Sequence, residues 1–193
     1  IQYIGEHLLP GRIGHLLIVV SFVAALFGAI SFYLSLKQRK WSKIGVGYLW
    51  LHVISTFAAI GILFYIVLNR FYEYHYAYKV ASDTLPFKYI FSGFWQDQEG
   101  SFLLWMFWHG VLLLILLLHR SKFRNGVLLS ILTIQAVLAT MLLGIYIPGT
   151  SVKFGINPFE LLRETMDIPL FANADYVSLI QGQGLNPLLQ NYW

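Results

Sequence analysis

The pattern of hydrophobic and polar positions is dominated by four apolar runs without a charged residue, at 13–36, 44–68, 101–118 and 127–147. A helix rises about 1.5 Å per residue, so runs of this length can cross a hydrocarbon core of about 30 Å. The pattern therefore predicts an all-α integral membrane protein with four transmembrane helices. Polar and aromatic segments separate and follow the helices, and we expect these to form an ordered loop and tail.

The charged residues predict the direction of the four spans. The connections 37–43 and 119–126 contain no acidic residue and share seven basic ones: Lys37, Arg39, Lys40, Lys43, Arg120, Lys122 and Arg124. Because short cytoplasmic loops are enriched in lysine and arginine, both connections are expected on the cytoplasmic side. The N-terminus, the loop 69–100 and the tail then face outward. The predicted organisation is a helix pair at 1–68, an aromatic outer loop at 69–100, a second helix pair at 101–147 and an outer tail at 148–193.

Composition narrows the class of protein further. Only 11% of the residues are charged, against about 25% in soluble domains. No cysteine is present, which excludes disulfides and thiolate metal sites within the chain. No other metal-ligand spacing appears, and seven of the thirteen basic residues lie in the two short connections. We therefore expect a lipid bilayer as partner, no nucleic acid and no metal ion bound by a recognisable motif.

Two polar segments have predicted local structures. Tyrosines alternate with other residues from 72 to 80, which is typical of an extended strand with the tyrosines on one face. Such a face can be an aromatic belt at the membrane surface or the wall of a ligand site. Further on, Asn157 followed by Pro158 predicts the start of a short surface helix that ends near Met166.

Two histidines lie inside apolar runs, His52 in the second and His109 in the third. Intramembrane histidines can ligate haem or relay protons. They can equally form a hydrogen bond between helices, which needs one partner only. The sequence contains no facing pair that would indicate a bis-histidine haem site, so both residues are candidates for either role.

The most distinctive motif runs from Trp95 to Trp105, where a polar cluster enters the third apolar run. With two later motifs, it resembles the CcmF family of cytochrome c-type biogenesis proteins, the haem lyases of bacterial cytochrome c maturation. The resemblance covers about 70–190 and rests on ordered positions: Trp95, Gln98, Glu99, Gly100, Ser101, Trp105, Asn157, Pro158, Phe159, Asn186, Pro187 and Gln190.

The resemblance implies a function in the bacterial cytoplasmic (inner) membrane. Such a protein attaches haem covalently to apocytochrome c on the outer face, with other cytochrome c maturation proteins as partners. It also implies that the chain is the N-terminal part of a larger polytopic protein, whose haem ligands lie beyond Trp193. Two alternatives stay open: a non-enzymatic scaffold or subunit of a respiratory assembly, and a haem- or quinone-binding electron-transfer subunit.

Overall fold

The computed structural model describes residues 3–119, 121–146, 149 and 153–184. The chain is mostly helical, with one pair of two-residue antiparallel strands. The elements are α1 (Leu8–Ser35), α2 (Trp41–Leu68), α3 (His75–Val80), α4 (Phe87–Gly93), α5 (Gln98–Leu118), α6 (Arg124–Thr140), β1 (Ile145–Tyr146), β2 (Lys153–Phe154) and α7 (Leu162–Thr165). Two short 3₁₀ turns follow, Pro169–Ala172 and Tyr176–Ser178.

Three helices are long and apolar enough to cross a membrane: α1, α2 and α5. The fourth predicted span is not confirmed at its expected length. Instead of reaching residue 147, α6 ends at Thr140 after 17 residues, and its length of about 26 Å is marginal for a span. The chain then turns at Gly144, which has a positive φ, and enters β1.

The chain divides into two compact units. The helical unit comprises His15–Ile60 and Phe102–Asn157. Its core is formed by apolar side chains from four helices: Ala25, Ala29, Phe32, Leu49, Val53, Leu113, Leu128, Leu132 and Ala136. Many large apolar side chains on the same helices are exposed, among them Ile54, Trp105 and Trp108. Lipid chains would cover such a surface, whereas water would not favour it.

The loop-rich unit comprises the described residues of Ile1–Gly14, Gly61–Ser101 and Pro158–Trp193. Two expectations for it are wrong. The alternating segment is not a strand, because residues 75–80 form α3, and only Tyr74 makes an isolated bridge, to Leu161. The helix expected from Pro158 begins instead at Leu162, with Leu161 rather than Asn157 at its N-cap, and has four residues.

The reason for the first error lies in burial. Period-two alternation places Glu73 and Tyr74 on opposite faces, one of them in solvent. Both side chains are buried, at 1% exposure each. Contacts distant in sequence decide the conformation here, and they leave no periodic pattern.

The junction after α2 has a well-defined cap. Arg70 adopts φ +57°, the left-handed conformation that glycine usually supplies at this position. The amide of Arg70 donates to the carbonyl of Val67 at 3.1 Å, and that of Phe71 donates to Ile66 at 3.2 Å. These two bonds form a Schellman motif, which ends the helix and directs the chain into the tyrosine segment.

Candidate functional site

The Trp95–Trp105 motif contains the start of α5, where Gln98 is exposed and the adjacent Glu99 is buried. Glu99 lies in the first turn with 2% exposure, and its own backbone N–H donates to its carboxylate. A carboxylate at this point also complements the positive end of the helix dipole. Ser101 Oγ donates to the carbonyl of Trp95 at 3.2 Å, which ties the start of the helix to the preceding turn. Trp105, in the helical unit, is exposed.

Gly100 lies at the tightest packing point of the motif. A Cβ at this position would overlap the carbonyl oxygen of Phe94 and the hydroxyl of Tyr76. Those two groups are themselves hydrogen-bonded, with the tyrosine hydroxyl donating to the carbonyl. Burial raises the pKa of Tyr76 well above its ordinary value, and the nearby Glu99 carboxylate raises it further. The glycine of the motif is therefore required by the buried tyrosine.

Tyr74 links the same segment to the start of the chain. Its hydroxyl accepts from the amide of Gly11 at 2.9 Å and donates to the carbonyl of His7 at 2.5 Å. Burial raises the pKa of Tyr74 to about 12. The carboxylate of the preceding residue, Glu73, accepts from the amide of His7 at 3.0 Å and from the His7 ring Nδ1 at 2.9 Å. Two adjacent side chains thus hold one short N-terminal stretch.

A third buried carboxylate, after those of Glu99 and Glu73, joins the two ends of the loop-rich unit. Glu6 accepts from Arg163 Nε at 2.8 Å and from the Tyr176 hydroxyl at 2.5 Å. The hydrogen bond to Glu6 raises the pKa of Arg163. Burial raises the pKa of Tyr176, and the hydrogen bond to Glu6 raises it further. The Arg163 guanidinium also lies over the ring of Tyr3, 5.0 Å from its centroid. Sequence reasoning missed these residues because nothing local marks them.

The later motifs also enter this unit as far as the structure describes them. Pro158 and Phe159 are buried, and the Phe159 ring lies where a Cβ on Gly14 would be. Asn157 belongs to the helical unit and is half-buried. The amide of Gln183 donates to the carbonyl of Tyr78 at 2.7 Å. Three further positions of the resemblance lie outside the described residues: Asn186, Pro187 and Gln190.

His52 is the centre of a buried polar network in the helical unit. Gln135 Nε2 donates to the carbonyl of Met106 at 3.0 Å and lies 2.9 Å from His52 Nε2. Because the Met106 carbonyl can only accept, the amide must present its NH₂ group to both partners, and His52 Nε2 must accept. The proton therefore lies on Nδ1, which donates to the carbonyl of Ser21 at 3.0 Å. The Ser21 hydroxyl continues the network to Thr56 at 2.8 Å.

The second candidate histidine has a different environment. His109 is half-buried, and its Nδ1 is buried without a hydrogen-bond partner in the described part of the chain. The structure does not place it in a group with other ligands, since no cluster of three or more His, Cys, Asp or Glu side chains occurs among the described residues. The haem-ligand role of His52 and His109 stays a prediction, and for His52 it would require breaking a hydrogen bond to a ring nitrogen.

Comparison with known proteins adds no relative: no protein-family model matches the chain, and neither a curated protein nor a solved structure matches it.

Proposed function

We propose that the chain belongs to an integral membrane protein that attaches haem covalently to apocytochrome c, as its resemblance to the CcmF family implies. One observation supports this most. Motif residues that are far apart in sequence, Glu99 with Gly100 and Pro158 with Phe159, are buried in one compact loop-rich unit. Both pairs therefore help to pack this unit, as is expected if the two motifs have a shared structural role in it.

In this proposal the chain supplies the scaffold rather than the haem ligands. The reaction adds each thiol of a Cys-X-X-Cys-His motif across a haem vinyl group, with sulfur bonding to one vinyl carbon and hydrogen to the other. Haem supplies the electrophilic vinyl groups, and the protein's task is to hold the two reactants in position. The buried tyrosine and carboxylate bonds of the loop-rich unit provide a rigid support for such positioning.

The proposal includes four spans and a direction in the bacterial inner membrane. The basic connections would face the cytoplasm, and the loop-rich segments would face outward, where apocytochrome c meets haem. The charge distribution supports this direction: all nine acidic residues lie outside the two basic connections. For α6 to act as the fourth span, the bilayer must adapt to a short helix, which costs a modest free energy per ångström of mismatch.

The functional test uses the full-length protein in bacteria that lack their own haem lyase and contain the remaining maturation proteins. A reporter apocytochrome with a Cys-X-X-Cys-His motif is followed by haem staining after denaturing electrophoresis, which retains only covalently bound haem. We expect stained reporter with the wild-type protein, and none when both reporter cysteines are replaced by alanine. Reporter that stays unstained, although the protein is made and inserted, would contradict the haem lyase function and favour a scaffold.

The topology test uses the natural absence of cysteine from the chain. Single cysteines are introduced at Lys40, Lys122, Asp83 and Asp167 and exposed to a membrane-impermeant maleimide in cells whose outer barrier has been opened. We expect labelling at Asp83 and Asp167 in intact spheroplasts, and at Lys40 and Lys122 only after lysis. Labelling of Lys122 before lysis would show that α5 or α6 does not cross as proposed.

The alternative of an electron-transfer subunit has less structural support. Its strongest candidate ligand, His52, uses both ring nitrogens in hydrogen bonds. His109 Nδ1 has no hydrogen-bond partner among the described residues and is therefore free to bind iron. A haem absorption band that disappears in His109→Leu would support this alternative.

A further inference from the structure

A basic pocket lies in the helical unit, lined by the end of α1, the starts of α2 and α6, and residues of the two short connections. Its volume is about 450 Å³. Its four cationic side chains come from both connections, and the two pairs are more than 80 positions apart in the sequence. Lys37 and Arg39 belong to the connection 37–43, and Lys122 and Arg124 to the connection 119–126. A general excess of positive charge on the cytoplasmic side does not require such convergence on one concavity.

The pocket contains an organised polar group as well as charges. Asn125 Nδ2 donates to Ser35 Oγ at 3.0 Å, and Ser42 Oγ donates to Asn125 Oδ1 at 3.3 Å. The Ser35 hydroxyl in turn donates to the carbonyl of Phe32 at 2.6 Å, so its oxygen is oriented as an acceptor for Asn125. These bonds fix the amide between the helices. The second hydrogen of the Asn125 amide group is not used in these bonds, and an amide hydrogen is a good donor to a phosphate oxygen.

The part of the protein that the structure describes does not balance the charges of the pocket. No carboxylate lines it, and among the described residues Lys37, Arg39 and Arg124 form no salt bridge. Four positive side chains around one concavity repel each other, and the repulsion is removed when an anion binds between them. Arginine adds planar, paired donors that suit a phosphate group.

We propose that this pocket binds the phosphate group of an anionic phospholipid. The phosphate chemistry alone would also suit a soluble phosphate, but the surroundings favour a lipid. Leu36 lines the pocket and is exposed, and Leu118 and Phe123, which are close in sequence to the lining residues 121–125, are exposed too. A headgroup site bordered by apolar side chains at the ends of membrane helices accommodates both the phosphate and the start of the acyl chains. The site is independent of the haem lyase function and requires only that the helices lie in a membrane.

The first experiment measures which anion binds. The purified full-length protein in a neutral detergent is titrated with phosphatidylglycerol, with phosphatidylcholine or with inorganic phosphate. Thermal unfolding and native mass spectrometry give stabilisation and bound lipids. We expect phosphatidylglycerol to bind about tenfold or more tightly than phosphatidylcholine, and millimolar inorganic phosphate to compete weakly. Equal binding of the two lipids would overturn the proposal, and so would full protection by inorganic phosphate, which would assign the pocket to a soluble anion.

The second experiment separates the pocket from a diffuse surface charge. Arg39→Gln with Arg124→Gln removes two charges that line the pocket, whereas Lys40→Gln with Lys43→Gln removes two from the same region that do not. Both pairs change the net charge equally. We expect the first pair to weaken phosphatidylglycerol binding about tenfold or more, and the second to change it less than about threefold.

Equal losses of phosphatidylglycerol binding in the two double variants would show that only the overall surface charge matters, and they would overturn the proposal of a specific pocket. Circular dichroism confirms that each variant is folded before binding is measured. If the first pair fails to fold, the comparison of phosphatidylglycerol with phosphatidylcholine on the wild-type protein still decides the proposal.

Discussion

The two units bury polar groups in opposite ways. In the helical unit, one network of side chains around His52 lies within an otherwise apolar core, and its members come from regular helices. In the loop-rich unit, buried tyrosine hydroxyls bond to backbone carbonyls, and buried carboxylates join distant parts of the chain. The first arrangement adds polar bonds to a structure that helices already define. The second substitutes for regular secondary structure.

The difference teaches where each unit is vulnerable. Glu6 and Tyr176 are 170 positions apart, and Glu6 and Arg163 are 157 apart. Such contacts form only after much of the chain is ordered, and each buried polar group left unpaired costs about 1 to 3 kcal/mol. We therefore expect single substitutions to damage the loop-rich unit more than the helical unit, whose backbone bonds are local.

The largest expected effect is that of Gly100→Ala. Its Cβ would overlap a backbone carbonyl and a buried tyrosine hydroxyl, and neither can withdraw without losing a hydrogen bond. We expect a loss of about 3 kcal/mol or more in stability, at the upper end for overpacking, measured by limited proteolysis and thermal unfolding in detergent. The matched control is Gly61→Ala, also in the loop-rich unit, because nothing lies within 4 Å of the added Cβ. Equal stability of the two variants would mean that the motif glycine is not needed for packing.

The next effect, about 2 kcal/mol for two hydrogen bonds, is expected for Tyr74→Phe. The variant leaves the Gly11 amide and the His7 carbonyl unpaired. Tyr78→Phe is the control, because the Tyr78 hydroxyl forms no hydrogen bond within the described residues. The folded-state pKa of Tyr74 is raised from 10.0 to about 12. Its stabilisation is therefore complete below pH 10 and lost as the pH rises through 12. The stability difference between wild type and variant should shrink over this interval, and a constant difference would contradict the bonding role of the hydroxyl.

The sequence predicted the helical unit better than the loop-rich unit, for a physical reason. Runs of apolar residues determine helices of membrane length by local composition, and three of the expected helices are long enough to span. The end of α6 was missed because its final residues are as apolar as the helix itself. The motif around Glu99 was located correctly at the start of α5. Tyr76, which packs against Gly100 of this motif, was predicted in a strand but lies in α3. The alternation of tyrosines suggested the strand, whereas the contacts between distant residues that decide the conformation leave no repeating pattern.

A moderate effect in the helical unit should come from the His52 network. We expect Gln135→Leu and His52→Leu each to lower stability by about 1 kcal/mol, with a coupling energy of about 0.5 to 1.5 kcal/mol in the double variant. Unfolding in mixed detergent measures all three. Thr133→Val on the same helix is the control, because its hydroxyl donates to the Leu129 carbonyl of its own helix and not to another helix in the described part of the chain. Strictly additive losses would show that the two side chains do not act through their mutual bond.

The smallest expected effect is a gain in stability, at the cap that leads from α2 into the tyrosine segment. Arg70 adopts a left-handed backbone conformation. This conformation costs a residue with a side chain about 1 to 2 kcal/mol. Glycine adopts it without that cost, but glycine loses more backbone entropy on folding. Arg70→Gly should therefore stabilise the protein by about 0.5 kcal/mol, and Arg70→Val, which tolerates the conformation least, should destabilise it by 1 kcal/mol or more. Arg70→Gln controls for the lost charge and should leave stability near the wild-type value. If Arg70→Gly and Arg70→Gln both lowered stability, the arginine side chain itself, rather than the backbone conformation of the cap, would be the stabilising element.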